Sequence, residues 1–270
     1  MLSDIFFLPG KLPLLKKLFW KSWYNIFAYY YGHINIVFMN YGYANLSEGT
    51  QKLELNALDE KERYCLQLYY HVANSIELKG LDVLEVGCGR GGGSYFIKRH
   101  FQPKSMTGVD ISEKNIALCR QNYSLEKLNF YQGDAESLQF DDCSFDAVIN
   151  IESSHCYPHV NYFFREVFRV LRSNGYFLFA DFRHYRDIAS VRKQLENTGL
   201  KLIKEEDITK NILVAMNLEN ERKNKIIQEN IPKFLQGIAY YFAGLEGTRM
   251  YESFQNGECE YFYYVLQKKV

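Results

Sequence analysis

The segment Leu84-Glu85-Val86-Gly87-Cys88-Gly89-Arg90-Gly91-Gly92-Gly93-Ser94 limits what this chain can become more than any other stretch. The residues from Asp82 to Gly87 read as a buried strand that ends in glycines, and a helical pattern begins near Ser94. Glycines at such a junction let the backbone turn tightly and approach a ligand without a Cβ in the way. Gly87, Gly89 and Gly92 satisfy the G-x-G-x-x-G spacing, which nicotinamide and flavin enzymes share, so spacing alone leaves the ligand open. Glu85 narrows the choice. An acid two residues before the first glycine would repel a diphosphate at short range, and it suits a positive ligand such as S-adenosylmethionine, which carries an ammonium and a sulfonium.

Around this loop the chain alternates strand and helix periods. A helix is predicted from Asp59 to Glu77, a second strand from Ser105 to Asp110 and its helix from Lys114 to Asn122. Further strands are predicted from Asn129 to Gln132, from Phe145 to Ile151 and from Tyr176 to Asp181. An amphipathic helix from Tyr162 to Leu171 is expected to close at Asn174-Gly175. A helix from Ile188 to Thr198, a sixth strand from Leu200 to Lys204, a helical stretch from Asp207 to Gly247 and a β-prone run from Gly257 to Lys268 complete the pattern. The rhythm implies an α/β fold with a doubly wound, seven-stranded, mostly parallel sheet. The expected organisation is an N-terminal helical lid over 1–58, a Rossmann-like core over 59–206, a helical lid insertion over 207–256 and the final core strand over 257–270.

Two more acids follow the strands. Asp110 ends the second strand, where a carboxylate can accept hydrogen bonds from both hydroxyls of a ribose; it also stands where it could cap the helix after Ser112-Glu113. Asp134, in Gly133-Asp134-Ala135-Glu136, is placed to meet an adenine amino group, with the Ala135 backbone beside the ring. Gly87, Cys88, Gly89 and Gly91 of the loop, Ile111 beside Asp110, and Asn150 in the fourth strand join Glu85, Asp110, Asp134 and Ala135 as candidate cofactor contacts.

Composition excludes several classes. Lys+Arg and Asp+Glu balance at 32 each, which argues against bulk electrostatic binding of nucleic acid. The six cysteines are scattered without a C-x-x-C pair and read as reduced thiols of a cytoplasmic protein. The first residues lack the layout of a secretory signal. The uncharged run from Trp23 to Ser47 is interrupted by Tyr, Asn and Gly, which disfavours a membrane span. Lys16, Lys17 and Lys21 beside Phe19, Trp20 and Trp23 are compatible with a peripheral membrane contact, and a lid over the active site fits the same segment. The abundance of Tyr and Phe, 22 and 20, suits the wall of a hydrophobic substrate pocket or reflects coding bias. The oligomeric state is not legible.

In order along the chain, LEVGCGRGGGS, TGVDIS, GDAESL with the following acidic turn, and FREVFRVLRSNGYFLFADF resemble class I S-adenosylmethionine-dependent methyltransferases. INIVFMNYGYAN, NIESSHCYPH and FAGLEGTRMYESFQNGECEYFYYV extend the likeness over nearly the whole chain to the phthiotriol/phenolphthiocerol dimycocerosate methyltransferases. That resemblance implies a methyltransferase fold and O-methylation of a hydroxyl on a hydrophobic small molecule, a lipid or polyketide. Arg172-Ser173-Asn174-Gly175 departs from the usual Pro-Gly turn of the family, and Asn-Gly turns equally well.

An alcohol acceptor must lose its proton. His155, in Glu152-Ser153-Ser154-His155 just beyond the fourth strand, stands at the sheet edge where ligands bind and is the first candidate for the base. Asp181 ends the fifth strand on the same edge and could orient His155 or the acceptor; a more distant likeness to natural-product sugar O-methyltransferases supports the pair. Pro158 between His155 and His159 disfavours a metal on a shared helical face, so no metal is expected. Tyr41 and Tyr43, in the N-terminal segment, are candidates to close over the cofactor carboxylate. The alternatives are a C-methyltransferase of the sterol or quinone type, a sugar O-methyltransferase, a nicotinamide dehydrogenase and a non-catalytic binding module.

Overall fold

The computed structural model describes residues 37–47 and 53–269, together with Leu18, Trp20, Ser22 and Asn25. Most of the expected 1–36 part of the N-terminal lid therefore lies outside the described residues.

Seven strands form one sheet: β1 Asp82–Val86, β2 Ser105–Asp110, β3 Leu128–Gln132, β4 Phe145–Ile151, β5 Leu171–His184, β6 Leu200–Asp207 and β7 Cys259–Lys268. Their spatial order is β3-β2-β1-β4-β5-β7-β6, with β7 antiparallel to both β5 and β6 and the remaining neighbours parallel. The order reverses between β1 and β4, the kind of switch point at which open α/β sheets bind ligands. The helices are α1 Arg63–Ala73, α2 Gly92–His100, α3 Glu113–Asn122, α4 Val160–Val170, α5 Tyr185–Glu196, α6 Thr209–Asn230, α7 Lys233–Ala243 and α8 Arg249–Gln255.

Period-two alternation assigns each strand side chain to one of two cores. Val83, Met106, Ala147, Ile149 and Tyr263 pack with α1, α2 and α3 through Leu66, Phe96 and Ile116. Leu84, Val86, Val148, Phe177 and Tyr264 pack on the other face with Phe163 and Val167 of α4 and Ile188 and Leu195 of α5. The sheet is thus covered by helices on both faces, and this requires the continuously apolar strands seen in β4 and β5.

Two local readings need correction. The helix after His159 ends at Val170, and Leu171 is already extended. The Asn174-Gly175 turn interrupts β5 instead: Phe145 pairs with Leu171, Ala147 pairs with Tyr176, and Asn174 adopts φ 63° in the bulge. The cap of α3 is Ser112, whose Oγ accepts from Asn115 N at 3.1 Å, while Asp110 accepts from Ser112 N at 2.9 Å. The expected helical stretch between β6 and β7 is three helices, α6 to α8, and β6 runs on to Asp207. Among the described residues no helix is long and apolar enough to cross a membrane.

Candidate active site

The C-terminal ends of β1 to β5 meet at one edge of the sheet, over a cavity of about 290 Å³. The loop from Gly87 to Arg90 lines it. Gly87 N and Cys88 N both donate to Val109 O, at 2.7 and 3.0 Å, and fold the loop back over β2. Gly87 adopts φ +78°, and a methyl there would stand 2.3 Å from Ser153 Oγ. Gly91 adopts φ +81° as the residue before α2, and its missing methyl leaves room for Cys119 and Phe130. Both glycines are required twice, by backbone conformation and by space.

Tyr41, Gly87, Cys88, Gly89, Asp110, Ile111, Asp134, Ala135 and His155 line this cavity together. Glu85, Gly91, Asn150 and Asp181 stand behind the wall. Glu85 is fully buried beneath the loop and accepts from Tyr69 Oη at 2.7 Å and from Ser94 Oγ. Burial pushes its pKa up to about 7, against the pull of those two donors. Asn150 Nδ2 donates to Val86 O at 2.8 Å and Ser153 Oγ at 2.7 Å, so it braces the turn from below.

Asp110 receives Gly89 N on Oδ2 at 3.0 Å and Ser112 N on Oδ1 at 2.9 Å. Burial raises its pKa to about 6 in spite of these donors. Asp134 Oδ1 accepts from Glu136 N at 3.0 Å, which shapes the turn after β3. A turn whose only side chains are those of Cys88 and Arg90, flanked by the Glu85 and Asp110 carboxyls, fits a nucleoside that carries a cationic group.

The fourth and fifth strands supply a second constellation. Asp181 Oδ1 lies 2.8 Å from His155 Nδ1, and Oδ2 accepts from His155 N at 3.0 Å and Ser154 Oγ at 2.7 Å. Arg183 Nη1 is 3.1 Å from the same carboxylate. Burial opposes the charge of Asp181, but Arg183, His155 and Ser154 outweigh it and hold the carboxyl well below the usual range. Burial would likewise lower the His155 imidazole, yet Cys156 and Asp181 hold it well above the ordinary histidine range. The His155 ring rests on Phe182, with centroids 4.4 Å apart. His159 does not join it: its Nδ1 lies 3.7 Å from Glu136 Oε2. Among the described residues no cluster could hold a metal ion.

Tyr41 lines the cavity. Its ring is buried against Phe182 and Phe254, both at 5.6 Å, and its backbone N–H faces Glu152. That N–H donates to Glu152 Oε1 at 2.9 Å and Oε2 at 3.2 Å. Tyr43 stacks on His71 at 4.2 Å and does not line the cavity.

Sequence reading passed over Glu152, which lines the cavity with φ +45°, an unusual conformation for a residue with a side chain. Burial and Asp181 push its pKa up to about 7, against the Tyr41 N–H, His155 and Lys223. Its identity was visible beside His155, but the left-handed backbone that turns it inward was not. Also missed were Arg222 and Lys223 of α6, which line the cavity. Arg222 clamps Glu62 through two 3.0 Å bonds and also binds Glu219. No motif marks these residues; α6 brings them to the cavity.

Residues 84–179 match the model of a methyltransferase domain. The chain is 37% identical over 252 residues to the phthiotriol/phenolphthiotriol dimycocerosates methyltransferase of Mycobacterium tuberculosis, covering 93% of each chain. It is 36% identical over 234 residues to a fatty-acid O-methyltransferase of Mycolicibacterium smegmatis, covering 87% of this chain and 84% of that one. Among solved structures, the cyclase SpnF superposes with a TM-score of 0.71 at 18% identity, over 93% of this chain and 95% of that one. The cyclopropane synthase MmaA2 from Mycobacterium tuberculosis gives 0.67 at 16% identity, over 87% and 95%. These two likenesses establish the fold and not the reaction.

Proposed function

The chain belongs to the S-adenosylmethionine-dependent methyltransferases, in the family of the phthiotriol/phenolphthiotriol dimycocerosates methyltransferases, and we propose that it methylates a hydroxyl oxygen of a lipid or polyketide acceptor. The cofactor supplies an electrophilic methyl group on a sulfonium. Asp110 is the residue to hold its ribose hydroxyls and Asp134 with Ala135 its adenine, with the Gly87 to Arg90 backbone alongside. Glu85, Asn150 and Gly91 support that loop from behind. Positioning is the largest demand, because well-oriented reactants can gain about 7–11 kcal/mol from proximity.

One observation carries the choice of a hydroxyl: His155, held by Asp181 at 2.8 Å, shares a cavity with the glycine loop and Asp110. An acceptor hydroxyl must give up its proton, and an imidazole fixed by a carboxylate is built to take it. A carboxyl acceptor would arrive ionised and need no such pair. Methylation at carbon, of a sterol- or quinone-type acceptor, is the alternative. We place the protein in the cytoplasm, with a lid formed by the N-terminal segment and by α6 to α8 and a peripheral membrane contact through Lys16, Lys17 and Lys21. Cosedimentation with anionic vesicles before and after replacing these lysines tests the membrane contact.

His155→Ala tests the chemistry. Its calorimetric affinity for S-adenosylmethionine is expected to stay within about two-fold, while transfer of a labelled methyl falls about 10²–10⁴-fold. Full turnover in the variant removes the base from the account.

A further inference from the structure

The turn after β4 places a glutamate where the backbone does not favour one. Glu152 N donates to Ala180 O at 2.9 Å, and the residue adopts φ +45°. Glycine or asparagine would hold that conformation with less strain, so the turn by itself does not account for the carboxyl. The carboxyl is also the least satisfied of the buried acids around the cavity. Asp181 accepts from His155 N, Ser154 Oγ and Phe182 N, Asp110 from two backbone N–H groups and Glu85 from two hydroxyls. Among the described residues Glu152 receives a single donor, the Tyr41 N–H, shared between its oxygens at 2.9 and 3.2 Å. The buried Tyr261 hydroxyl lies nearby, short of a well-formed hydrogen bond. A carboxylate can accept about four hydrogen bonds, and Glu152 lines the cavity. Its spare capacity is available to a bound molecule.

The surroundings select what can fill it. Lys223 also lines the cavity, and its charge acts on Glu152. Lys223 Nζ lies 3.4 Å from Asn40 O, on the same peptide group whose N–H meets Glu152. An ammonium arriving at Glu152 would meet Lys223 as a like charge, and a carboxylate would meet Glu152 as one. An ether, ester or ketone brings no proton to donate. A neutral hydroxyl satisfies the acid without either cost. His155 lines the same cavity three residues on, and its charge also acts on Glu152, so one acceptor molecule can reach both.

We propose that Glu152 is a specificity residue, which accepts a hydrogen bond from a second hydroxyl of the acceptor while His155 takes the proton of the hydroxyl that is methylated. The inference rests on the hydroxyl reading and adds to it the polar pattern of the acceptor. The substrate then carries a diol or polyol head.

The test compares decan-1-ol with decane-1,2-diol, decane-1,3-diol, decane-1,4-diol, 3-methoxydecan-1-ol and 3-aminodecan-1-ol. Binding is read by calorimetry on protein saturated with S-adenosylhomocysteine, so that it needs no turnover; transfer is read separately with a labelled methyl group. At least one diol is expected to bind about ten-fold or more tightly than decan-1-ol, and the ether and the amine no better than decan-1-ol. Glu152→Gln, which keeps an acceptor for the Tyr41 N–H, is expected to cut the diol preference at least about five-fold. A glutamate that only anchors Tyr41 would lower alcohol and diol together and leave their ratio unmoved. If that variant does not melt cooperatively, Lys223→Met takes its place: with the like charge gone, the amine is expected to gain at least about five-fold over decan-1-ol. Equal binding of the diols and decan-1-ol, tightest wild-type binding of the ether or the amine, or an unchanged preference in the folded variant overturns the proposal. So does a Glu152→Gln protein that loses affinity only for S-adenosylmethionine, because the acid would then serve the cofactor. Diol preference with no label on oxygen leaves Glu152 in its role and removes the hydroxyl reading; labelled alcohols without diol preference do the reverse.

Discussion

His155 sits under two opposing influences. Burial favours the neutral imidazole, while Cys156 and the Asp181 carboxylate favour the imidazolium and prevail. Only the neutral ring can accept a proton, so kcat/KM is expected to rise with pH beyond the ordinary histidine value of about 6.5. Asp181→Asn should move that limb to lower pH and reduce its plateau; a pH–rate profile that stays put would separate Asp181 from the histidine. The same linkage acts on stability. A raised histidine contributes fully below about pH 6.5, and its contribution is lost as pH rises through the folded value. Glu85, Asp110 and Glu152 act in another way. Their folded values, about 7, 6 and 7, lie above those of free carboxyls, so the native state binds extra protons between about pH 4 and 7. Cofactor-free stability should fall as pH rises through that window. A cationic ligand favours the ionised acids, so S-adenosylmethionine affinity should rise from about pH 5 to 8 with proton release. Calorimetry in two buffers of different ionisation heat reads that release directly; identical apparent heats would refute it.

At the scale of elements, the glycine turn and the α6 crossing are the most exposed to single changes. Gly87→Ala combines a positive φ with a methyl 2.3 Å from Ser153 Oγ. It is expected to destabilise the fold by about 1–3 kcal/mol and to abolish the cofactor-induced melting shift; a normal shift would show that the turn tolerates a side chain. Arg222→Leu leaves Glu219, 7% exposed at its side chain, without its cation. The loss should be about 2–3 kcal/mol by chemical denaturation, below the roughly 3–5 of a fully buried pair because Arg222 itself is partly open to water. These two elements differ in how far the sequence reveals them. The turn after β1, the acid at Asp110 and the strand at Phe145–Ile151 are local patterns, written in glycine spacing and β-branched runs. The Arg222 clamp joins residues 160 positions apart, and nothing local encodes it. Asn174-Gly175 shows the middle case: the turn chemistry was legible, but β4 pairing with Leu171 decided that the turn lies inside β5 and not at the end of α4.

For the whole molecule, the doubly wound seven-stranded sheet with helices on both faces follows from the alternation of strands and helices, whereas the cavity belongs to pieces remote in sequence. Residues 37–41, the strand ends and α6 with α7 each contribute lining. Tyr41 illustrates the difficulty. Its position near the site was legible, but its bond to Glu152 is made by the N–H, a group that every residue other than proline carries. Binding should couple these walls: at a hundred-fold excess over Kd, S-adenosylmethionine should add about 2.7 kcal/mol to unfolding stability.

The most direct test of the account is the fate of the methyl group. Purified protein, labelled S-adenosylmethionine and a total lipid extract should yield a labelled product that partitions into organic solvent, with mass spectrometry placing the methyl on an ether oxygen of a long-chain compound. A label found on carbon, or only in a water-soluble product, would contradict it.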